Sequence, residues 1–387
     1  MTSVQLYDTT LRDGAGREGI SFSVEDKLSI ARKLDELGIH FIEGGWPGAN
    51  PKDVEFFDRA QELGLANSTL VAFGSTRRAH IQPSRDRNLR ALVKSGARAA
   101  CIVGKAWDLQ ATQVLGITLE ENLAMIADSV AYLKAHGLSV FFDAEHFFDG
   151  YKASSQYALR AIQAAAEAGA DCVVLCDTNG GALPTEVVAA MKEAEKAVPV
   201  PLGIHAHNDS ELAVANTLAA VRAGAVQVQG TINGYGERCG NANLCSIIPA
   251  LKLKMGIPCL SDEQLARLTG VSRYVSEIAN LAPDVHLPYV GASAFAHKAG
   301  LHVSALLKWE KSYQHIDPEL VGNVKRVLVS ELSGRGSIIY KARERGVDLG
   351  LGSKEAARAL EQIKSLESRG FQYDGAEASF ELLLRRA

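Results

Sequence analysis

A chain of 387 residues is too long for one small module and fits two to three domains, or one barrel with an appendage. Its 47% hydrophobic and 22% charged residues, with 35 Gly and 11 Pro, exclude disorder and collagen-like structure. With 41 basic against 45 acidic side chains the net charge is -4, so no basic field exists to hold nucleic acid or an acidic membrane. No apolar run approaches the roughly 20 residues that cross a bilayer, and Met1 to Asp8 lacks the basic and apolar regions of a signal peptide. A cytoplasmic protein is expected. Its six cysteines, Cys101, Cys172, Cys176, Cys239, Cys245 and Cys259, are dispersed and lack metal-site spacing, which reads as reduced structural thiols.

Taken in chain order, short apolar runs fall at 4–7, 39–43, 69–73, 99–103, 138–142, 172–176, 202–206 and 226–230. Segments with helical spacing of Leu, Ile, Val and Ala lie between them. Thr118-Leu-Glu-Glu121 reads as a capping box, Pro184 as a first-turn residue, and Gly38, Gly96 and Gly169 as left-handed helix ends. Eight strand-helix units within about 255 residues predict a (β/α)8 TIM barrel. An open doubly wound sheet is disfavoured, because no Gly-x-Gly-x-x-Gly follows the first strand. The period then fails. Ser261 to Ala282 looks helical, Pro283 to Gly300 reads as a loop, and further helical stretches fall at 335–345 and 354–369. A catalytic barrel over 1–257 and a helical appendage over 258–387 are expected.

Active-site groups of a parallel barrel gather at the carboxyl ends of its strands. His205 and His207, in Gly203-Ile-His-Ala-His-Asn208, end the seventh strand two residues apart, so both imidazoles project to one face. A lone buried histidine is usually a hydrogen-bonded core residue, but a pair on an apolar strand favours a shared cation. Asp13, just past the first strand and only one strand away from the pair, is the best third ligand. Alone it could equally form a surface pair with Arg12. Two imidazoles and a carboxylate leave positions open for substrate and water; they suit Zn, Mn or Co, whereas Mg prefers oxygen ligands.

At this point the chain resembles a known family, the Claisen-condensing acyltransferases of the α-isopropylmalate, homocitrate and citramalate synthase group. The resemblance runs from end to end through Asp8-Thr-Thr-Leu-Arg-Asp-Gly14, Ile42-Glu-Gly-Gly-Trp-Pro-Gly-Ala-Asn50, Leu175-Cys-Asp-Thr-Asn-Gly180, His205-Ala-His-Asn-Asp209, Asn233-Gly-Tyr-Gly-Glu-Arg-Cys-Gly-Asn241 and Ala299-Gly-Leu-His302. Phe142 to Tyr151 and Glu43 to Asn50 are most similar to the (R)-citramalate branch, which implies condensation of acetyl-CoA with pyruvate. The alternatives are the same reaction on a larger 2-oxo acid, or a metal-dependent carbon-carbon lyase in a similar barrel.

The resemblance implies one divalent metal ion on Asp13, His205 and His207, with Asn241 as a further ligand or water-mediated contact. It implies that Thr178 binds the 2-oxo acid carboxylate and that Arg12 stabilises the enolate or alkoxide oxygen. Glu43 would bind Arg12 from behind. Glu145 would take part in activating the acetyl methyl group, with Asp143 and His146 close enough to share that work. His302 and Tyr313 match acid/base and hydrolytic residues of the appendage, which in the family covers the barrel of a partner subunit in a homodimer. Two departures stand out. Gly16 occupies a position where the family has Gln, and relatives continue past the segment ending at Ala387 into an amino-acid-binding regulatory domain. A chain without that domain is expected to be insensitive to isoleucine.

Overall fold

Eight short parallel strands form the barrel wall: β1 (Gln5–Asp8), β2 (Phe41–Gly45), β3 (Thr69–Ser75), β4 (Ala99–Lys105), β5 (Ser139–Glu145), β6 (Cys172–Asp177), β7 (Leu202–Ala206) and β8 (Gln227–Gly230). Each pairs with the next in sequence order, and β1 pairs with β8 in the register Gln5 to Gln227 through Asp8 to Gly230, which closes the barrel. The computed structural model describes residues 3–347, 349 and 353–386. Every expected strand overlaps one of these, so the (β/α)8 reading stands.

The side-chain period of two decides what fills the barrel. Tyr7, Val71, Phe73, Cys101, Phe141 and Val174 meet in one buried interior cluster. Their neighbours Leu6, Ile42, Ala72, Ile102, Phe142 and Val173 are also fully buried, because a parallel strand is covered on both faces. Followed toward the carboxyl ends, the same inward columns turn polar, reaching Glu43, Asp143, His205 and Gln229, all buried. One periodicity therefore builds an apolar plug below and a reactive floor above.

The barrel helices are α1 (Val24–Leu37), α2 (Pro51–Ala60), α3 (Arg87–Lys94), α4 (Leu119–Ala135), α5 (Phe147–Glu167), α6 (Pro184–Ala197), α7 (Ala213–Arg222) and α8 (Leu244–Pro249). Pro184 opens α6, and Gly38 ends α1 at φ 90°, as expected. The Thr118 box is only half formed. Thr118 accepts from the Glu121 N–H at 3.1 Å, but the Glu121 carboxylate is drawn away to Arg77 at 2.7 Å and the His80 N–H at 2.9 Å. Full boxes form instead between Ser23 and Asp26 at α1 and between Ser261 and Gln264 further on.

Behind β2, Lys27 of α1 and Asp53 of α2 form a buried ion pair, and the second Asp53 oxygen accepts from the Trp46 N–H at 2.9 Å. Lys27→Met would leave that carboxylate buried without its cation, so a loss of about 3–5 kcal/mol of stability is expected in chemical denaturation. A change below about 1 kcal/mol would mean the pair is solvated.

After β8 the chain forms α9 (Asp262–Leu265) and α10 (Leu268–Ile278), both packed on α1. The compact barrel unit therefore runs to Pro283, and the expected boundary at 257/258 falls inside it. The second unit, Asp284–Ala387, contains a two-stranded parallel sheet, β9 (Ala296–His297) with β10 (Arg326–Val327). Its helices are α11 (Gly300–Lys308), α12 (Arg335–Glu344), α13 (Lys354–Glu367) and α14 (Glu377–Arg386). The stretches 335–345 and 354–369 correspond to α12 and α13, whereas α11 and α14 lie outside the expected helices. In α14, Phe380, Leu383 and Leu384 are spaced i, i+3, i+4 and join Ile338, Ala359 and Ile363 in a separate core. Among the described residues no helix is long and apolar enough to cross a membrane. All six cysteines carry free thiols, and only Cys239 is exposed.

Candidate active site

β7 delivers His205 and His207 to the barrel mouth, and the turn after β1 delivers Asp13 to meet them. His205 Nε2 lies 3.3 Å from Asp13 Oδ2 and 3.4 Å from His207 Nε2, and His207 Nε2 is 3.9 Å from the same oxygen. One candidate ligand atom from each residue thus lies within 4.8 Å of the others. Asn241 donates to Asp13 Oδ2 at 2.7 Å and lies 3.3 Å from His205 Nε2. It is drawn in by a loop whose Gly236 leaves space, since a Cβ there would sit 1.9 Å from Asn241 Oδ1.

The electrostatics suit a cation. Burial disfavours the His205 cation, but the Asp13 hydrogen bond and charge outweigh it, and its pKa stands above the usual value. Burial pushes His207 down to about 4, with the His205 charge adding to the effect. Burial opposes ionisation of Asp13, yet Arg12 and the histidines hold its carboxyl well below the usual range. The trio therefore keeps an anionic oxygen and at least one neutral imidazole ready to bind. Asn241 Oδ1 and His207 Nδ1 are buried without a hydrogen-bond partner among the described residues. A borderline divalent cation fits this set of imidazole and oxygen donors.

Arg12 lies beside the trio. Its Nε donates to Glu43 Oε1 at 2.6 Å, its NH1 is 3.4 Å from Asp13 Oδ1, and its guanidinium carbon is 3.7 Å from the centre of the Phe73 ring. Glu43 is fully buried and accepts a second bond from the Tyr7 hydroxyl at 2.7 Å. Burial raises the Glu43 carboxyl above its usual value, against the pull of Arg12. The guanidinium is thus held on one edge and one face, leaving its other N–H groups at the cavity.

A cavity of about 580 Å³ opens above, lined by Arg12, Asp13, Trp46, Glu145, Thr178 and both histidines among others. Thr178 Oγ1 accepts from the His146 N–H at 2.8 Å, so the hydroxyl proton is free to donate to a substrate oxygen. Glu145 reaches the cavity in an ion pair with Lys105, its register neighbour on β4. Asp143 lies deeper, buried and accepting from Gln229 at 3.0 Å, with burial raising its pKa. His146 sits near Asp149 at 3.5 Å. His302 and Tyr313 belong to the second unit, where their rings stack with centroids 4.2 Å apart.

Lys105, Trp46, Phe73, Tyr7 and Gln229 were not singled out from sequence, although a signal existed for some. Lys105 ends β4 in the inward phase of Cys101, and Gln229 stands in that phase within Gln227-Val-Gln-Gly230. A polar side chain on the buried face of a barrel strand calls for a partner.

Gly16 lies in a short turn of 3-10 helix (Gly14–Gly16) without a left-handed φ, and its hypothetical Cβ would meet the Glu237 Cγ at 3.0 Å. Backbone strain is therefore no obstacle to Gly16→Gln. The substitution is expected to leave the melting temperature near that of the parent, with Glu237 swinging aside, and to tighten 2-oxo acid binding in calorimetry. A fall of more than about 4 °C, on the order of 3 kcal/mol for a chain this long, would show that Glu237 cannot give way.

Comparison with known proteins places the chain in a family. The family model described as HMGL-like matches residues 3–275, and one described as homocitrate synthase post-HMGL domain-like matches residues 289–370. An (R)-citramalate synthase of Geobacter sulfurreducens is 58% identical over 387 residues, covering 100% of this chain and 73% of that protein. One from Synechocystis is 54% identical, covering 100% and 72%. A homocitrate synthase of Methanopyrus kandleri is 37% identical, covering 95% and 88%. Among solved structures, the HMG-CoA lyase of Bacillus subtilis superposes with a TM-score of 0.62 at 20% identity, covering 73% of this chain and 96% of that one, a likeness of fold alone.

Proposed function

We propose, from the premise that this chain belongs to the HMGL-like family and within it to the (R)-citramalate synthases, that it condenses acetyl-CoA with pyruvate to give (R)-citramalate and CoA. The observation that carries the chemistry is the Asp13, His205 and His207 cluster, set beside the Arg12 guanidinium and under the Thr178 hydroxyl.

Asp13, His205 and His207 would hold one divalent ion, with Asn241 beside it, and when bound that ion supplies Lewis acidity for the 2-oxo acid carbonyl. The remaining roles fall to the chain itself. Thr178 donates its hydroxyl proton to the pyruvate carboxylate. Glu145, with Lys105 alongside, takes part in removing a proton from the acetyl methyl group. The resulting carbon attacks the carbonyl carbon, and the new alkoxide takes up a proton. Arg12, fixed by Glu43 and Phe73, stabilises the oxyanion. Water then cleaves the thioester, releasing CoA thiol and the second carboxylate. We assign His302 and Tyr313 to acid/base work in that step within a homodimer; sedimentation velocity should give the mass of two chains, and a monomer would contradict that assembly.

A panel of 2-oxo acids tests the substrate. One methylene is worth roughly 1–3 kcal/mol in a pocket, so pyruvate should exceed 2-oxobutyrate in kcat/KM, and 2-oxoisovalerate and 2-oxoglutarate should lag further. A larger acid outrunning pyruvate would move the chain to a sister specificity.

A further inference from the structure

The β8 side chains Gln227 and Gln229 are both fully buried in the barrel. A buried amide without partners is costly. Neither polar atom of the Gln227 side chain has a partner among the described residues, whereas both of Gln229 are used. Gln229 Nε2 donates to Asp143 Oδ1 at 3.0 Å, and Gln229 Oε1 lies 2.8 Å from His205 Nδ1.

The order of donors along this chain is fixed by its far end. The Asp143 oxygen accepts, so the amide nitrogen must face it and the amide oxygen must face His205. An oxygen there requires a proton on Nδ1. Nε2 of the neutral ring then presents its lone pair to the point shared with Asp13 and His207. Three strands, β5, β8 and β7, take part in what is otherwise a choice made by one imidazole. An amide is the uncharged side chain that accepts at one end and donates at the other, which explains Gln between the Asp143 carboxylate and the His205 imidazole.

We infer that Gln229 is a positioning residue for the metal centre: it relays the Asp143 acceptor across the barrel to His205 Nδ1, setting the tautomer and ring angle that make Nε2 a ligand. This rests on the metal-site reading given above. Outer partners of ligating histidines typically govern metal affinity by 10- to 100-fold.

Two variants of the full chain test it, with Zn²⁺ affinity from calorimetry and the visible spectrum of the Co²⁺ form as readouts. Gln229→Met keeps the volume but removes the relay, and its Zn²⁺ affinity should fall by about 10- to 100-fold with a changed Co²⁺ spectrum. The exchanged pair Gln229→Glu with Asp143→Asn restores the bond sequence in reverse polarity. An amide at 143 donates to a carboxylate at 229, which accepts from His205. It should recover most of the lost affinity and the parent Co²⁺ spectrum, whereas a residue that merely fills space would not be rescued by such an exchange. Affinity and spectrum unchanged in Gln229→Met would overturn the inference, as would an exchanged pair no better than Gln229→Met. If Gln229→Met does not fold, Gln229→Leu is read in the same way. An unaltered chain that binds neither metal overturns the metal-site reading itself, and is distinguished from failure of the relay by being seen before any substitution is made.

Discussion

Arg12→Lys is expected to lower turnover at least about 100-fold, the range seen when an oxyanion donor is removed. The charge is kept, but the geometry is not. Arg12 bonds Glu43 through Nε, sits over the Phe73 ring, and still directs NH1 toward Asp13. A lysine ammonium is a single point, and it cannot both satisfy the buried Glu43 carboxylate and address a developing oxyanion. Burial opposes the guanidinium charge, but Glu43 and Asp13 more than compensate, so Arg12 remains a cation throughout the working pH range. Pyruvate affinity should change less than turnover, because the carboxylate contact proposed for Thr178 is untouched. Small and equal losses in both would place Arg12 in a scaffolding role.

His207→Ala should remove metal and activity together. The His207 side chain supplies one of the three clustered ligand atoms, while its own Nδ1 holds nothing else among the described residues. Losing it opens the coordination shell and removes no member of the interior apolar cluster. After dialysis, metal content should drop well below one ion per chain, and turnover should fall at least about 100-fold, as for loss of a preorganised electrostatic group. The melting temperature of the metal-free forms should agree within a few degrees. Stoichiometric metal with near-normal turnover would show that the ion, if any, sits elsewhere.

The barrel was legible because it rests on a local and repetitive pattern. Apolar runs such as 172–176 survive as β6 because a parallel strand covered on both faces is apolar along most of its length. His205 and His207 were legible for the same reason, being two polar residues in phase on such a strand. What sequence could not supply was phase between strands. That Lys105 faces Glu145, or that Gln229 joins Asp143 to His205, follows from barrel closure and strand register, which bring together residues far apart in the chain. The helix ends show a similar limit. Thr118 and Glu121 carry the letters of a capping box, yet Arg77 competes for the carboxylate from a distant loop. In the second unit the short α11 and α14 escaped notice because each offers only two or three turns of pattern, and α14 is identified by what Phe380 and Leu384 pack against.

The most direct measurement supplies the purified chain, stripped by chelator and refilled with Zn²⁺, Mn²⁺, Co²⁺ or Mg²⁺ in turn, with acetyl-CoA and pyruvate. Released thiol and product mass are followed together. At least one metal should give CoA release that depends on pyruvate, matched mole for mole by a product of citramalate mass, with the stripped chain inactive. No pyruvate-dependent CoA release with any of the four metals would contradict the proposed reaction, and equal release by the stripped chain would contradict the role given to Asp13, His205 and His207.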